Sequence, residues 1–371
     1  MNLQTSKLVS RIALALALAM TFLFHFSYLD WGLPSTRKTL QVMGSPEQIQ
    51  RWVPKMIEQR NQYYALFNRL LDKSQPFKEN YDQMSQRWNI PVFQILPNDI
   101  VLDRTRNYLI GVNVSDEQYT MAALSALNPK KLQFALSPQA YYGGFYYYTS
   151  AGFLVLAKLA GKISLNSNVA YYFTHPEETK EMYRWIRAVG GVSVVATVLV
   201  LFGMMSRWSN ASSAALSVLI FSVFPLMVPL SHLAKAHLYG MFWITCGLSC
   251  CWRILESQDE PEDSPALRRL YLGAGVSLGL CAGTLITNLT TGSLLFFTES
   301  LRQNWQWRNI VKSKNFWISA ALFLATFCLT NFYIFLHFSQ FQRPSQQRMT
   351  IFSFFDQAGI NETNRSGRTD P

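Results

Sequence analysis

Apolar runs of roughly bilayer length alternate with short polar connectors along the chain, and one polar stretch of more than a hundred residues interrupts them. The first run, Ile12–Phe24, is an Ala/Leu/Phe block behind Lys7 and Arg11. Phe26-Ser27-Tyr28-Leu29 extends it to about spanning length, and no small-x-small cleavage site comes after it. A first membrane helix with a cytoplasmic N-terminus is therefore expected, rather than a removed signal peptide. Further windows fall near 145–163, 188–205, 212–230, 238–255, 269–287 and 316–338, with a short one at 289–298. At ~20 residues per crossing they predict about seven or eight membrane segments.

The connector from Glu299 to Lys314 holds Arg302, Arg308, Lys312 and Lys314, and the positive-inside rule assigns it to the cytoplasm. Parity then requires 269–298 to cross once, or another segment to be re-entrant. The expected organisation is a first transmembrane helix at 1–28, an extracytoplasmic loop at 29–142, a helix bundle at 143–338 and a polar segment at 339–371 that reads as truncated.

Inside the long loop, Ser45-Pro46-Glu47-Gln48 is a capping box with proline at the first helical position. Ile49, Trp52, Val53, Met56, Ile57, Tyr64, Phe67, Leu70 and Leu71 then recur every three or four residues, predicting an amphipathic helix kinked at Pro54. Such a helix beside a membrane segment is expected to lie in the interface, the alternative being a helix of a small soluble domain. Pro76, Pro91 and Pro97 break the rest of the loop into short pieces.

Composition agrees with a membrane protein: 49% hydrophobic and 14% aromatic residues against 15% charged. The net charge of +11 is read as positive-inside retention and contact with anionic lipid or a lipid phosphate. The basic residues form no helix face with interleaved aromatics, so no nucleic-acid partner is expected. All five cysteines, Cys246, Cys250, Cys251, Cys281 and Cys328, fall in apolar stretches and read as small buried hydrophobes; no disulfide framework or CxxC pair is present.

The candidate chemistry centres on Ser115-Asp116-Glu117. A carboxylate at a membrane–water boundary is partly desolvated, which raises its pKa toward the working range of a general base. Asp116 is the base candidate and Glu117 its partner, through hydrogen bonding, metal coordination or acceptor orientation. The same residues also read as the first turn of a capped helix running on through Met121, Leu124 and Leu127. Cationic and donor groups near a boundary suit a lipid phosphate. Lys235 and His237, with His232 before them, are the best-placed set, and Arg184 and Arg187 stand second. Interfacial snorkelling is the competing account of these residues. A zinc site from His232 and His237 is not expected, because i and i+5 align poorly on one helix face. Tyr142 and Tyr146–Tyr148 suit stacking on a sugar ring or an aromatic belt, the latter being the simpler reading. Asn113-Val114-Ser115 and Asn361-Glu362-Thr363 match glycosylation acceptors, triplets that also arise by chance.

The order of these pieces resembles the GT-C superfamily of integral-membrane glycosyltransferases, of the dolichyl-phosphate-mannose–protein mannosyltransferase and aminoarabinose-transferase type. The resemblance is carried by Trp31-Gly32-Leu33-Pro34, by Ser115-Asp116-Glu117 and by Tyr142-Gly143-Gly144-Phe145-Tyr146-Tyr147-Tyr148. Met182–Arg187, Phe224–Lys235 and Gly279–Thr284 come after them in the same order. Where the family carries His-Pro before the acidic pair this chain has Val114-Ser115; where many relatives carry Asp it has Ala236-His237; and Asn288 stands near the position of a family lysine.

The resemblance implies an all-α polytopic membrane protein, a GT-C type transmembrane helix bundle whose long first extracytoplasmic loop carries interfacial helices. It implies a multi-pass cell-membrane enzyme that transfers a sugar from a polyprenyl-phosphate donor to a hydroxyl of a glycan, lipid or protein acceptor by inverting single displacement. Asp116 would be its base, Lys235, His237, His232 and Arg187 its donor-phosphate contacts, and Tyr142 and Tyr146 its sugar or acceptor contacts. No cofactor is fixed, and a divalent metal stays open. The rival reading is non-catalytic: an inactive scaffold of this type, or a lipid or solute transporter.

Overall fold

The computed structural model describes residues 3–70, scattered positions between 102 and 136 that include one helix, and residues 142–336. Everything regular in them is helical. In chain order the helices are α1 (Leu3–Phe26), α2 (Thr36–Met43), α3 (Pro46–Leu70), α4 (Ser115–Ser125), α5 (Gly144–Leu159), α6 (Val169–Thr174), α7 (Pro176–Trp208), α8 (Ala211–Ser222), α9 (Met227–Ser231) and α10 (His237–Glu256). Next come α11 (Pro265–Thr284), a 3₁₀ helix (Ile286–Gly292), α12 (Ser293–Arg302), α13 (Trp307–Lys312), α14 (Lys314–Thr330) and α15 (Phe332–Leu336).

Cross-helix pairs fix the directions. Ala17 shares a small core with Val198 and Val218, and Phe26 lies against Gly191, so α1 runs antiparallel to the second half of α7. Leu238 approaches Gly190 and the Trp208 and Trp252 rings meet at 4.6 Å, so α10 runs parallel to α7. Gly247 faces Leu278 while Gly279 faces Phe323, setting α11 antiparallel to α10 and parallel to α14. Asn288 reaches Cys281 and Glu299 reaches Tyr271, so the 3₁₀ helix and α12 return together along α11 as one broken segment.

Two helices, α7 and α10, are long and apolar enough to cross a membrane; shorter apolar helical stretches are Arg11–Phe26, Ala211–Ser222 and Lys314–Thr330. Helix α7 has 33 residues, about 50 Å, well beyond a hydrocarbon core of ~30 Å. Its excess is the N-terminal part carrying Glu177, Glu178, Lys180, Glu181 and Arg184.

Two expectations change here. The helix of the 145–163 window packs along the N-terminal half of α7 and the first turns of α10 rather than along their full apolar lengths. Phe145 packs on Trp243 and Thr149 bonds Tyr239 at 3.0 Å, so α5 is antiparallel to α10 and passes beyond its first residue, His237. By Ser164, whose N–H donates to Glu178 at 2.8 Å, the chain has reached the first turn of α7. Helix α5 thus belongs to a layer built on one end of the apolar bundle. The second change concerns α3. Its capping box forms as read, with Ser45 and Gln48 exchanging hydrogen bonds, and the helix continues through Pro54. Its apolar face is covered by protein, however: Ile49 and Met56 are buried with Met43, Leu102, Leu109 and Phe173. Over its described side chains that face contributes to a satellite core, with Trp52, Val53 and Ile57 partly buried against it. Pro76, Pro91, Pro97, Asn113, Asn361 and the segment from 337 lie outside the described residues.

Candidate functional site

The ends of α1, α8, α10, α11 and α14 meet on the side of the bundle that carries this second layer, and a buried ion pair sits at their junction. Helix α7 supplies Arg187, 1% exposed; the first turn of α4 supplies Glu117, 0% exposed. Arg187 Nε donates to Glu117 Oε1 and Nη2 to Oε2, both at 2.8 Å, a bidentate fork. Nη1 donates to the carbonyls of Leu29 and Trp31, each at 2.8 Å, holding the chain where it leaves α1.

Glu117 Oε1 also accepts the Ala234 N–H at 2.6 Å, and Thr120, one helical turn on, donates to the Ala234 carbonyl at 3.0 Å. The single peptide position before Lys235 is thereby clamped from both sides. Taking two charges out of water is costly, and such a pair persists where its remaining donors and acceptors are also met. That condition holds here, with three backbone groups, the carbonyls of Leu29 and Trp31 and the N–H of Ala234, bonded to the one guanidinium and one carboxylate.

Two expected roles must be corrected. Glu117 is enclosed and its oxygens are occupied by Arg187 and Ala234, which makes it a positioning residue. Arg187 directs four of its five N–H groups to protein acceptors and is 1% exposed, which encloses it away from a phosphate at the surface. His232 moves too. It is 8% exposed and turned toward Phe24 and His25. Burial, with the nearby Arg187 charge as a lesser cause, holds its imidazole below the ordinary histidine range. Beside it, His25 bonds Ser231 Oγ at 2.7 Å and the Ser222 carbonyl at 3.0 Å, tying α1 to α8 and α9.

Lys235 and His237 come directly after the clamp. Lys235 is half-buried; His237 is exposed at the first position of α10, its ring edge-on to Tyr142 at 6.0 Å. Tyr142 is itself 7% exposed and packs on Tyr146 and Tyr147. The glycines beside it dock the segment: Gly143 N–H donates to Thr284 O and Gly144 N–H to Asn331 Oδ1, both at 2.8 Å. Tyr146 lies 1% exposed in the main core, so a sugar has no access to its ring, whereas Tyr142 borders the Lys235–His237 stretch. Asp116 occupies the position before Glu117 in α4, and its side chain lies outside the described residues.

Composition could not reveal Thr120 or the carbonyls of Leu29 and Trp31, because their part depends on groups 114 to 158 residues away. No family model, curated protein or solved structure matches the chain.

Proposed function

We propose that the chain is a polytopic membrane glycosyltransferase of GT-C type, taking a sugar from a polyprenyl-phosphate carrier and passing it to an acceptor hydroxyl at the face carrying the second layer. The observation that carries this reading is the clamp on Ala234. Through it, the turn bearing Asp116 is bonded to the stretch bearing Lys235 and His237. The proposed base and the two proposed phosphate contacts therefore stand on neighbouring backbone at one end of the bundle.

In this reading Asp116 removes the proton from the attacking hydroxyl as the anomeric carbon–phosphate bond breaks, while Lys235 and His237 offset the charge left on the departing phosphate. Glu117 and Arg187 hold the two stretches in place. Outward-facing side chains support the membrane setting: Leu16, Leu216, Ile220, Leu324 and Leu329 are each more than half exposed, which suits a hydrocarbon surround.

Full enclosure of Glu117 favours one rival, a non-catalytic scaffold in which the acidic pair serves only the fold. The two part on one experiment. Membranes are incubated with radiolabelled lipid-linked sugars, wild type beside Asp116→Asn. Transfer lost in the variant, with membrane insertion and thermal midpoint kept, supports the enzyme; transfer unchanged, or absent from wild type across the panel, removes it.

A further inference from the structure

At the opposite end of the bundle, α12 turns into α13 through Gln303–Gln306. The Trp305 N–H donates to Ser300 O at 2.7 Å and the Asn304 N–H to Leu301 O at 3.2 Å, so the chain folds back on the end of α12. This turn places Asn304 at φ 48° and Trp305 at φ 60°, the two non-glycine residues with positive φ among the described residues. Glycine ordinarily takes such positions; asparagine tolerates them, and a tryptophan is disfavoured there by its Cβ. The indole so displayed is 59% exposed.

Around it lie Trp307, Val311 and Trp317, exposed by 63%, 44% and 55%. The Trp317 indole N–H bonds the Val311 carbonyl at 2.9 Å and fixes their relation. On α13, Ile310 is buried at 3%, while positions 307 and 311 share one stripe and 308 and 312 the next, about 100° round the axis. The second stripe is Arg308 and Lys312, both exposed and neither paired with a carboxylate among the described residues. In the 257–264 connector at this end, Glu262 accepts the Lys314 N–H at 3.1 Å and the Glu260 backbone carbonyl accepts from Arg302 at 3.1 Å; none of its carboxylates forms an ion pair with Arg308 or Lys312 among the described residues.

We infer that this corner is a docking surface for anionic phospholipid headgroups. Trp305, Trp307 and Val311 enter the boundary layer, and Arg308 and Lys312 meet the phosphates beside them. Adjacent apolar and cationic stripes are what an interfacial helix presents, and unpaired cations select a lipid of opposite charge. The inference rests on the membrane part of the proposed function and is independent of the transferase chemistry.

The test uses the purified full chain in detergent, titrated with phosphatidylglycerol or phosphatidylcholine and followed by native mass spectrometry and thermal denaturation. Wild type retains phosphatidylglycerol preferentially and gains thermal stability from it. The double variant Arg308→Gln/Lys312→Gln binds it about 30-fold more weakly and loses the gain. Trp305→Gly, whose new residue suits the left-handed turn, keeps or raises its midpoint without lipid but loses part of the response. An equal response to both lipids, an unchanged response in the double variant, or capture of a protein by this face with no lipid selectivity overturns the inference. Recovery of the chain in the aqueous fraction without detergent removes the membrane reading, and this one with it.

Discussion

The Glu117 carboxylate and the Arg187 guanidinium, 70 residues apart in sequence, are joined by two contacts of 2.8 Å with both side chains buried. Removing one partner leaves the other charged, enclosed and unpaired, which in buried pairs costs about 3–5 kcal/mol. Glu117→Ala and Arg187→Ala should each lower the thermal midpoint in detergent steeply. Arg187→Lys should recover only part, because an ammonium cannot form the fork or reach Leu29 and Trp31 at once. Midpoints within experimental scatter of wild type would show that the pair is not what holds α4 to α7.

Helices α11 and α14 approach through Gly275, Gly279 and Gly283. A Cβ on Gly279 would sit 2.7 Å from the Phe323 carbonyl, and one on Gly275 or Gly283 would meet Ser319 or Thr330. Close backbone approach of this kind relies on small residues. Gly279→Val should therefore separate the helices and lower the yield of folded protein in membranes, while Gly203→Val, at a position with open space, should not. Size-exclusion profiles of the two variants make the comparison.

His232 adds a pH dependence. Its folded pKa lies below the ordinary value, so the unfolded chain binds its proton first as pH falls. Stability from the neutral imidazole is whole above the unfolded pKa near 6.5 and declines as pH drops toward the folded value. Thermal midpoints should decline as pH is lowered from neutral in wild type, and decline less in His232→Gln; parallel curves would contradict this.

Asn304 bears left-handed strain at φ 48°. Asn304→Gly should raise the midpoint in detergent by up to about 1 kcal/mol equivalent, since glycine enters that region without the Cβ clash. A fall would mean that the asparagine side chain supports the turn.

Much of the architecture was open to a linear reading. Hydropathy is local, so the windows at 188–205 and 238–255 mark the two long apolar helices correctly, and the Ser45–Gln48 capping box closes as its spacing demands. Ser115 likewise begins a helix, as both accounts of the acidic pair require.

Direction and partnership are not local. The run at 145–163 has the composition of a crossing, yet Thr149 meets Tyr239 and Ser164 meets Glu178, which turns α5 into the outer layer. The apolar stripe of α3 specifies that something covers it, and only chain closure decides that Ile49 and Met56 meet Phe173 and its neighbours.

The sequence by itself determined which residues carry charge, where helices begin and how much apolar surface must leave water. Only the tertiary structure decided that Glu117 is a clamp, that Arg187 is its partner and that His232 faces α1. The physical reason is that a titratable group's role is set by what occupies its lone pairs and protons, and those occupants arrive from distant parts of the chain.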